Sequence, residues 1–211
     1  MILYPQSHHI HPYPTGEDIL DPLEPPFRVW IPEQPVLVLG YSQEPEQELN
    51  LAAVESANIP VYKRKGGGGA VFLSPNIVCV ALRMQRRPGF GLQDYFSTAN
   101  GFIQSAFKNA LNIDLIPRGI SDLALGDRKI LGSSLYLPRD CAVYLASILV
   151  DVPLSLLDQY LLHPTREPDY RLGRTHANFI QNLSDIPGLE YLTPERVKQI
   201  LETRFSEHII Y

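Results

Sequence analysis

Apolar positions along this chain follow two rhythms, one of period two and one of about 3.6, separated by glycine- and proline-rich breaks. Residues 27–31 and 36–40 are short, β-rich apolar runs joined by a proline-containing turn, which predicts two strands. In 46–58, Leu49, Ala52, Ala53 and Ser56 share one helical face. Strands are predicted at 61–64, 70–73 and 77–84, the last almost wholly apolar. Residues 92–111 give the clearest helix, with Leu92, Phe96, Ala99, Ile103, Ala106, Phe107 and Ala110 in one stripe that reads as core. Further strands are predicted at 123–125, 129–136 and 142–150, and a helix at 154–162. A last helix begins with Thr193 as N-cap and Pro194 in its first turn, turning Val197, Ile200, Leu201 and Phe205 inward. Strands and helices mix without regular βαβ alternation. The expected class is therefore α+β, a mixed, mostly antiparallel central sheet flanked by helices.

Residues 1–26 break the pattern. Six prolines and three histidines with little apolar periodicity predict an irregular leader, followed by one domain over 27–211. His8, His9 and His11 have no second ligand cluster to complete a metal site. A net charge of −5 argues against a sequence-independent grip on nucleic acid, although Lys63–Lys65 and the arginines at 83–87 are locally basic. Two cysteines, Cys79 and Cys141, make neither a disulfide framework nor a zinc pattern. No run approaches the ~20 apolar residues that span a bilayer, and the start lacks signal-peptide regions, so no membrane partner and a cytoplasmic location are expected.

Two segments carry candidate chemistry. In Lys63-Arg64-Lys65-Gly66-Gly67-Gly68-Gly69-Ala70-Val71, three cations precede four glycines. Glycine loops bring backbone N–H groups close to a ligand, and the cations favour an anionic one. A flexible surface turn is the plain alternative. The run is not a nucleoside-triphosphatase loop, because no Lys-Ser/Thr follows. It is not a dinucleotide fingerprint either, because strand-like residues follow instead of a helix. In the second segment, Asp127-Arg128 reads as a hairpin turn after Gly126, and Lys129 starts a strand that continues into Gly132-Ser133-Ser134. A lysine beside small residues can point into a cleft and neutralise a phosphate or a developing oxyanion. A solvated hairpin lysine is the alternative.

Taken in order, these segments resemble the lipoate–protein ligase family of the biotin and lipoate ligase superfamily, from about Trp30 to the C-terminus. That family's Arg-Arg-x-Ser-Gly-Gly-Gly-Ala-Val segment stands here as residues 63–71. Its Asn-Asp-Leu stands as Ser121-Asp122-Leu123, and its Gly-x-x-Lys-x-x-Gly-Ser as residues 126–133. Residues 40–45 and Glu48-Leu49-Asn50 look like its acyl-pocket segment. The resemblance implies the family's catalytic-domain fold and ATP-dependent activation of lipoate to an acyl-adenylate, with Mg²⁺, followed by transfer to a lysine of a lipoyl carrier domain. It implies Lys129 as the catalytic residue. Arg64, Gly67, Gly68, Gly69, Ala70, Asp122, Gly132, Ser133, Tyr41 and Ser42 are implied as substrate- or adenylate-binding, with no metal-ligating side chain.

The departures are specific. The serine before the glycines is Gly66, the histidine after Ala-Val-Phe is Leu73, and the later His-Gly-Ser/Thr is Leu145-Ala146-Ser147. No C-terminal accessory domain is expected within these residues, and a separate polypeptide is the implied source. The arginines and histidine of residues 168–176 can reach an anionic ligand or the carrier. Three alternatives stay open: an octanoyltransferase acting through a cysteine thioester, a non-catalytic lipoyl-binding protein, and a biotin ligase, whose Gly-Arg-Gly-Arg segment is missing. Cys79 reads as buried strand, whereas Cys141 follows Arg139 and Asp140 at a turn, a setting open to reactivity.

Overall fold

The computed structural model describes residues 10–13, 15–164 and 166–208; His8 and His9 lie outside them. Along the chain, β1 (Phe27–Trp30) and β2 (Val36–Leu39) are followed by two short helices, α1 (Pro45–Glu48) and α2 (Leu51–Ser56). Strands β3 (Val61–Lys63) and β4 (Val71–Leu73) flank the glycine loop, and β5 (Ile77–Gln85) leads to the long helix α3 (Leu92–Leu111). Next come β6 (Ile116–Arg118), β7 (Asp122–Leu125), β8 (Arg128–Tyr136) and β9 (Cys141–Leu149), then α4 (Ser155–Tyr160), α5 (His176–Phe179) and α6 (Pro194–His208).

Two sheets result. The larger has the order β1-β5-β9-β8-β7-β6, and every neighbouring pair in it is antiparallel. The smaller, β3-β2-β4, holds the one parallel pairing among the described strands, β2 with β3. The α+β expectation stands, with the mixed pairing confined to the small sheet. Side chains alternate across β5: Val78, Val80 and Leu82 pack with α3 and α6, whereas Ile77 and Cys79 pack with the small sheet, α2, α4 and α5. Burial on both faces explains why β5 reads as an uninterrupted apolar run.

Most predicted elements appear within a residue or two, and α3 has the predicted bounds. Thr193 Oγ1 accepts the Arg196 N–H at 3.3 Å, as an N-cap should. Three differences bear on the site. The helix predicted over 46–58 is broken at Leu49-Asn50: Leu49 is extended and bridges Leu161, and the Asn50 N–H donates to Tyr160 O at 2.9 Å. Tertiary pairing overrides the helical period there and leaves Glu48 at a helix end beneath the glycine loop. Strand β6 escapes prediction because its three residues, including Pro117, are exposed at the sheet edge. Among its described residues the leader adds a 3-10 turn at Asp18–Leu20 and a bridge from Pro12 to Lys63, and it is packed: Ile19 is buried. Arg83 donates to the Ile19 and Asp21 carbonyls, and the Tyr13 N–H donates to Lys63 O at 3.0 Å.

Candidate active site

Between the two sheets lies a cleft of about 590 Å³. Cys79, Leu145, Ser147 and Leu149 form its floor from the large sheet, Val38, Phe72 and Leu73 its opposite wall, and Leu157, Leu161 and Phe179 close one side. Its interior is thus mostly apolar, suited to an alkyl chain. Polar groups gather where β7 and β8 meet the glycine loop.

Lys129 reaches that point because β8 is irregular. Leu123 pairs with Leu131, but Ala124 pairs with Lys129, so β8 carries one extra residue. Both Ile130 and Leu131 face the helix-side core. The bulge resets the alternation and puts Lys129 on the cleft face with Gly132. Lys129 Nζ lies 2.8 Å from Asp122 Oδ1. Tyr170 OH donates to Asp122 Oδ2 at 2.8 Å, so the carboxylate is held from both sides. Burial and the Asp122 charge raise the Tyr170 pKa far above its usual value, so its hydroxyl remains a donor. A Cβ on Gly132 would stand 2.7 Å from Lys129 Nζ, so the bare backbone is what makes room for the lysine's end. Ser133 also lines the cleft, with its Oγ donating to Ser121 O at 2.6 Å.

The glycine loop is braced from within. Arg64, buried, donates to Val38 O at 3.1 Å, Gly67 O at 2.7 Å and Gly69 O at 2.9 Å. Burial pushes its pKa down to about 10, against the opposing pull of Glu17 and Glu48, so it stays cationic at neutral pH. Its Nε has no partner. Glu48 Oε2 accepts the Ala70 N–H at 3.0 Å. A Cβ on Gly40 would lie 1.9 Å from Gly68 O, so only glycine fits where β2 runs under the loop. From outside, the Lys65 N–H donates to Glu17 Oε1 at 2.6 Å. Gly66, in the family's serine position, faces Ser134: a Cβ there would meet Ser134 Oγ at 3.1 Å.

Of the sequence-predicted residues, Lys129, Asp122, Gly132, Ser133, Arg64, Gly68, Gly69 and Ala70 line this cleft. Gly67, Tyr41 and Ser42 do not line it. Tyr41 is 70 % exposed and only its N–H engages the loop, donating to Gly66 O at 3.0 Å. Glu48 and Gly40 sit in the segment likened to the acyl pocket, but their work under the glycine loop comes from strand pairing that no local spacing reveals. Tyr170 and Asp158 likewise act through contacts distant in sequence. The loop over 168–176 is folded against the domain. Arg174 bridges to Asp127 at 3.0 Å, buried Arg171 stacks over Phe179 at 5.0 Å from its centroid, and His176 pairs with Asp158 at 3.0 Å. Arg171 and His176 both line the cleft.

Neither cysteine suits a nucleophile. Cys79 is in the cleft floor, but its burial raises the thiol pKa far beyond the thiolate range. Cys141 is outside the cleft lining and its pKa is also raised by burial, despite Arg83 and Arg86 nearby. Among the described residues no group of three or more His, Cys, Asp or Glu converges as a metal site, and both oxygens of Asp122 are engaged. No helix is long and apolar enough to cross a membrane, among the described residues.

The arrangement defines a class: an α+β domain whose apolar cleft ends in a clamped lysine beside a glycine loop. Comparison with known proteins agrees. The family model described as the lipoyl protein ligase A/B catalytic domain matches residues 17–206, and the chain belongs to that family. The match begins within the leader, in keeping with its packing. A probable lipoate-protein ligase A of Mycoplasma genitalium is 29 % identical over 125 residues, 59 % of this chain and 37 % of that protein. The chain thus spans well under two thirds of the relative's length. Among solved structures, a bipartite lipoate protein ligase with its E2 lipoyl domain from Thermoplasma acidophilum superposes with a TM-score of 0.72 at 21 % identity, over 87 % of this chain and 70 % of that one. P. falciparum LipL1 in complex with lipoate gives 0.69 at 23 %, over 86 % and 48 %. A lipoate-protein ligase A bound with ATP gives 0.72 at 21 %, over 87 % and 72 %. At these identities the likeness is one of fold.

Proposed function

We propose that this domain activates lipoate with ATP to lipoyl-adenylate and transfers the lipoyl group to a lysine of a carrier domain. The observation behind this reading is the Lys129–Asp122 pair, at 2.8 Å, where the apolar cleft meets the glycine loop. The acid's alkyl chain lies against Leu145, Leu149 and Phe72, and its carboxylate faces Lys129. Lys129 neutralises the carboxylate and α-phosphate as the carboxylate oxygen attacks phosphorus and pyrophosphate leaves. It then stabilises the oxyanion formed when the carrier amine attacks the acyl carbon and AMP departs. Asp122 and Tyr170 fix the ammonium group's position. The backbone of Gly68 and Gly69, with Arg64 beneath it, supplies donors and positive potential for the adenylate phosphate. Mg²⁺ brought in with the nucleotide would screen the polyphosphate charge. A cytoplasmic location is part of the same proposal. An accessory polypeptide completing the adenylation step is part of this reading, as the similar Thermoplasma ligase is described as bipartite.

Intact-mass measurement of a lipoyl carrier domain, incubated with the protein, lipoate and Mg²⁺, tests it. A lipoyl mass gain is expected with ATP, or from preformed lipoyl-adenylate if the accessory polypeptide is required. Lys129→Ala should slow it roughly 10²–10³-fold, the range for removing one donor to a developing oxyanion. Transfer without ATP or adenylate, or full activity in Lys129→Ala, would sink the reading.

A further inference from the structure

The carrier lysine raises a question of proton balance. Its amine has an ordinary pKa of about 10.4, so at neutral pH it arrives as an ammonium that cannot attack. Lys129 carries its own ammonium against Asp122 and is a poor acceptor for that proton. A second titratable group in the cleft is free to take it.

His176, the first residue of α5, lines the cleft. Its Nδ1 lies 3.0 Å from Asp158 Oδ1 on α4. Asp158 also accepts the backbone N–H of His176 at 3.0 Å and of Ala177 at 3.3 Å. Three donors converging on one carboxylate fix the ring. An ionised carboxylate only accepts, so the proton of the neutral imidazole sits on Nδ1 and Nε2 holds the lone pair. Among the described residues Nε2 makes no hydrogen bond, and it is not sealed from solvent. The backbone of α5 is also tied to the strand that carries Lys129. Arg128 donates to Ala177 O at 2.9 Å and to Ile180 O, the Gln181 N–H donates to Lys129 O at 2.9 Å, and Ile180 bridges Lys129. Helix α5 is thus fastened to the start of the strand that carries the lysine.

We infer that His176, oriented by Asp158, is the general base that deprotonates the carrier lysine for attack on the acyl-adenylate. This rests on the ligase reading above. In the step, one ammonium proton passes to His176 Nε2 and the freed nitrogen pair forms the C–N bond at the acyl carbon. The bond from acyl carbon to phosphate oxygen breaks with its electron pair leaving on AMP. The second nitrogen proton goes to water as the intermediate collapses. His176 is catalytic in this role and Asp158 is a positioning residue. Charged groups acting on the ring are Asp158 from α4, His163 from the following loop and Arg171 from the 3-10 turn Asp169–Arg171, and Glu167 pairs with both His163 and Arg171. Burial, then Arg171, lowers the His176 pKa below its ordinary 6.5, outweighing Asp158, so the ring is neutral and able to accept at pH 7 and above.

Preformed lipoyl-adenylate separates this step from activation. Wild type, His176→Ala and His176→Gln are given either the carrier domain or hydroxylamine, a nucleophile already neutral at pH 7 that needs no base, and the enzyme-free rate with each nucleophile is subtracted. The expected result is a loss of about 10²-fold in carrier transfer for both variants, the lower end of general-base contributions, with a far smaller loss in hydroxamate formation. Wild-type carrier transfer should fall on the acid side of the His176 pKa. In the variants it should rise in proportion to hydroxide across pH 6–9, and added imidazole should restore His176→Ala. Equal losses with both nucleophiles, or no loss with either, would overturn the inference and leave the ligase reading standing. No product from the wild type with either nucleophile would overturn both.

Discussion

Lys129 is held by contacts that leave little latitude. Asp122 fixes its nitrogen, Tyr170 fixes Asp122, and Gly132 supplies the space into which the lysine's end folds. A methyl group at 132 would stand 2.7 Å from Nζ and 2.8 Å from Cε, closer than real contacts allow. The end of a lysine can yield, so the cost falls on position and not on folding. Gly132→Ala is therefore expected to reduce transfer to nearly the level of Lys129→Ala while stability changes by less than ~1.5 kcal/mol, within the ordinary range for single substitutions. Steady-state transfer rates beside urea midpoints check it. A well-folded Gly132→Ala with full activity would mean that Nζ need not lie where it does.

At the level of elements, the glycine loop behaves as a braced arch. Four glycines would be floppy in isolation, but Arg64 donates to three carbonyls beneath them and Glu48 holds the Ala70 N–H. Both charged groups are buried, and the Arg64 charge is favoured by Glu17 and then by Glu48. Arg64→Met removes all three hydrogen bonds and takes a cation from the field of Glu48. A loss of roughly 3–5 kcal/mol in urea unfolding is expected, since each buried carbonyl left without its donor costs about 1–3 kcal/mol. The double variant Arg64→Met/Glu48→Gln should be less destabilised than the sum of the single ones, because the stranded carboxylate is gone. Additive losses would show that the two groups act separately.

Across the whole molecule, the 168–176 loop and α5 tie α4, β8 and the β7–β8 hairpin together through Asp158, Arg128 and Arg174. This docking links stability to pH. The His176 pKa is lowered by burial, and that of Asp158 is lowered by its hydrogen bonds to His176 and Ala177, which outweigh its desolvation. In both cases the unfolded chain binds protons more readily than the folded one, so stability rises with pH. The His176 contribution is present above its ordinary 6.5 and is lost as pH falls through the lowered folded value; that of Asp158 follows below 3.8. Urea midpoints should drop from pH 7.5 to 5, and His176→Gln should flatten that drop. An unchanged slope in the variant would place the acid sensitivity elsewhere.

Local pattern alone determined a good part of this protein. The stripe of α3 and the apolar run of β5 follow from burial, which any segment facing a core must show in its own spacing. The glycine run and the Lys129 segment were legible as motifs because backbone freedom and charge are local properties, and their order along the chain carried the family resemblance. Only the tertiary structure decided which of those residues meet. The bulge at Ile130 turns Lys129 to the cleft, and the break at Leu49-Asn50 brings Glu48 under the loop. The leader packs because Arg83, far along the chain, holds it. Tyr41 and Ser42 lie outside the cleft although they adjoin Gly40 in sequence. Such outcomes depend on strand pairing and on charges compensated across the fold, and a single stretch of sequence contains only one side of each.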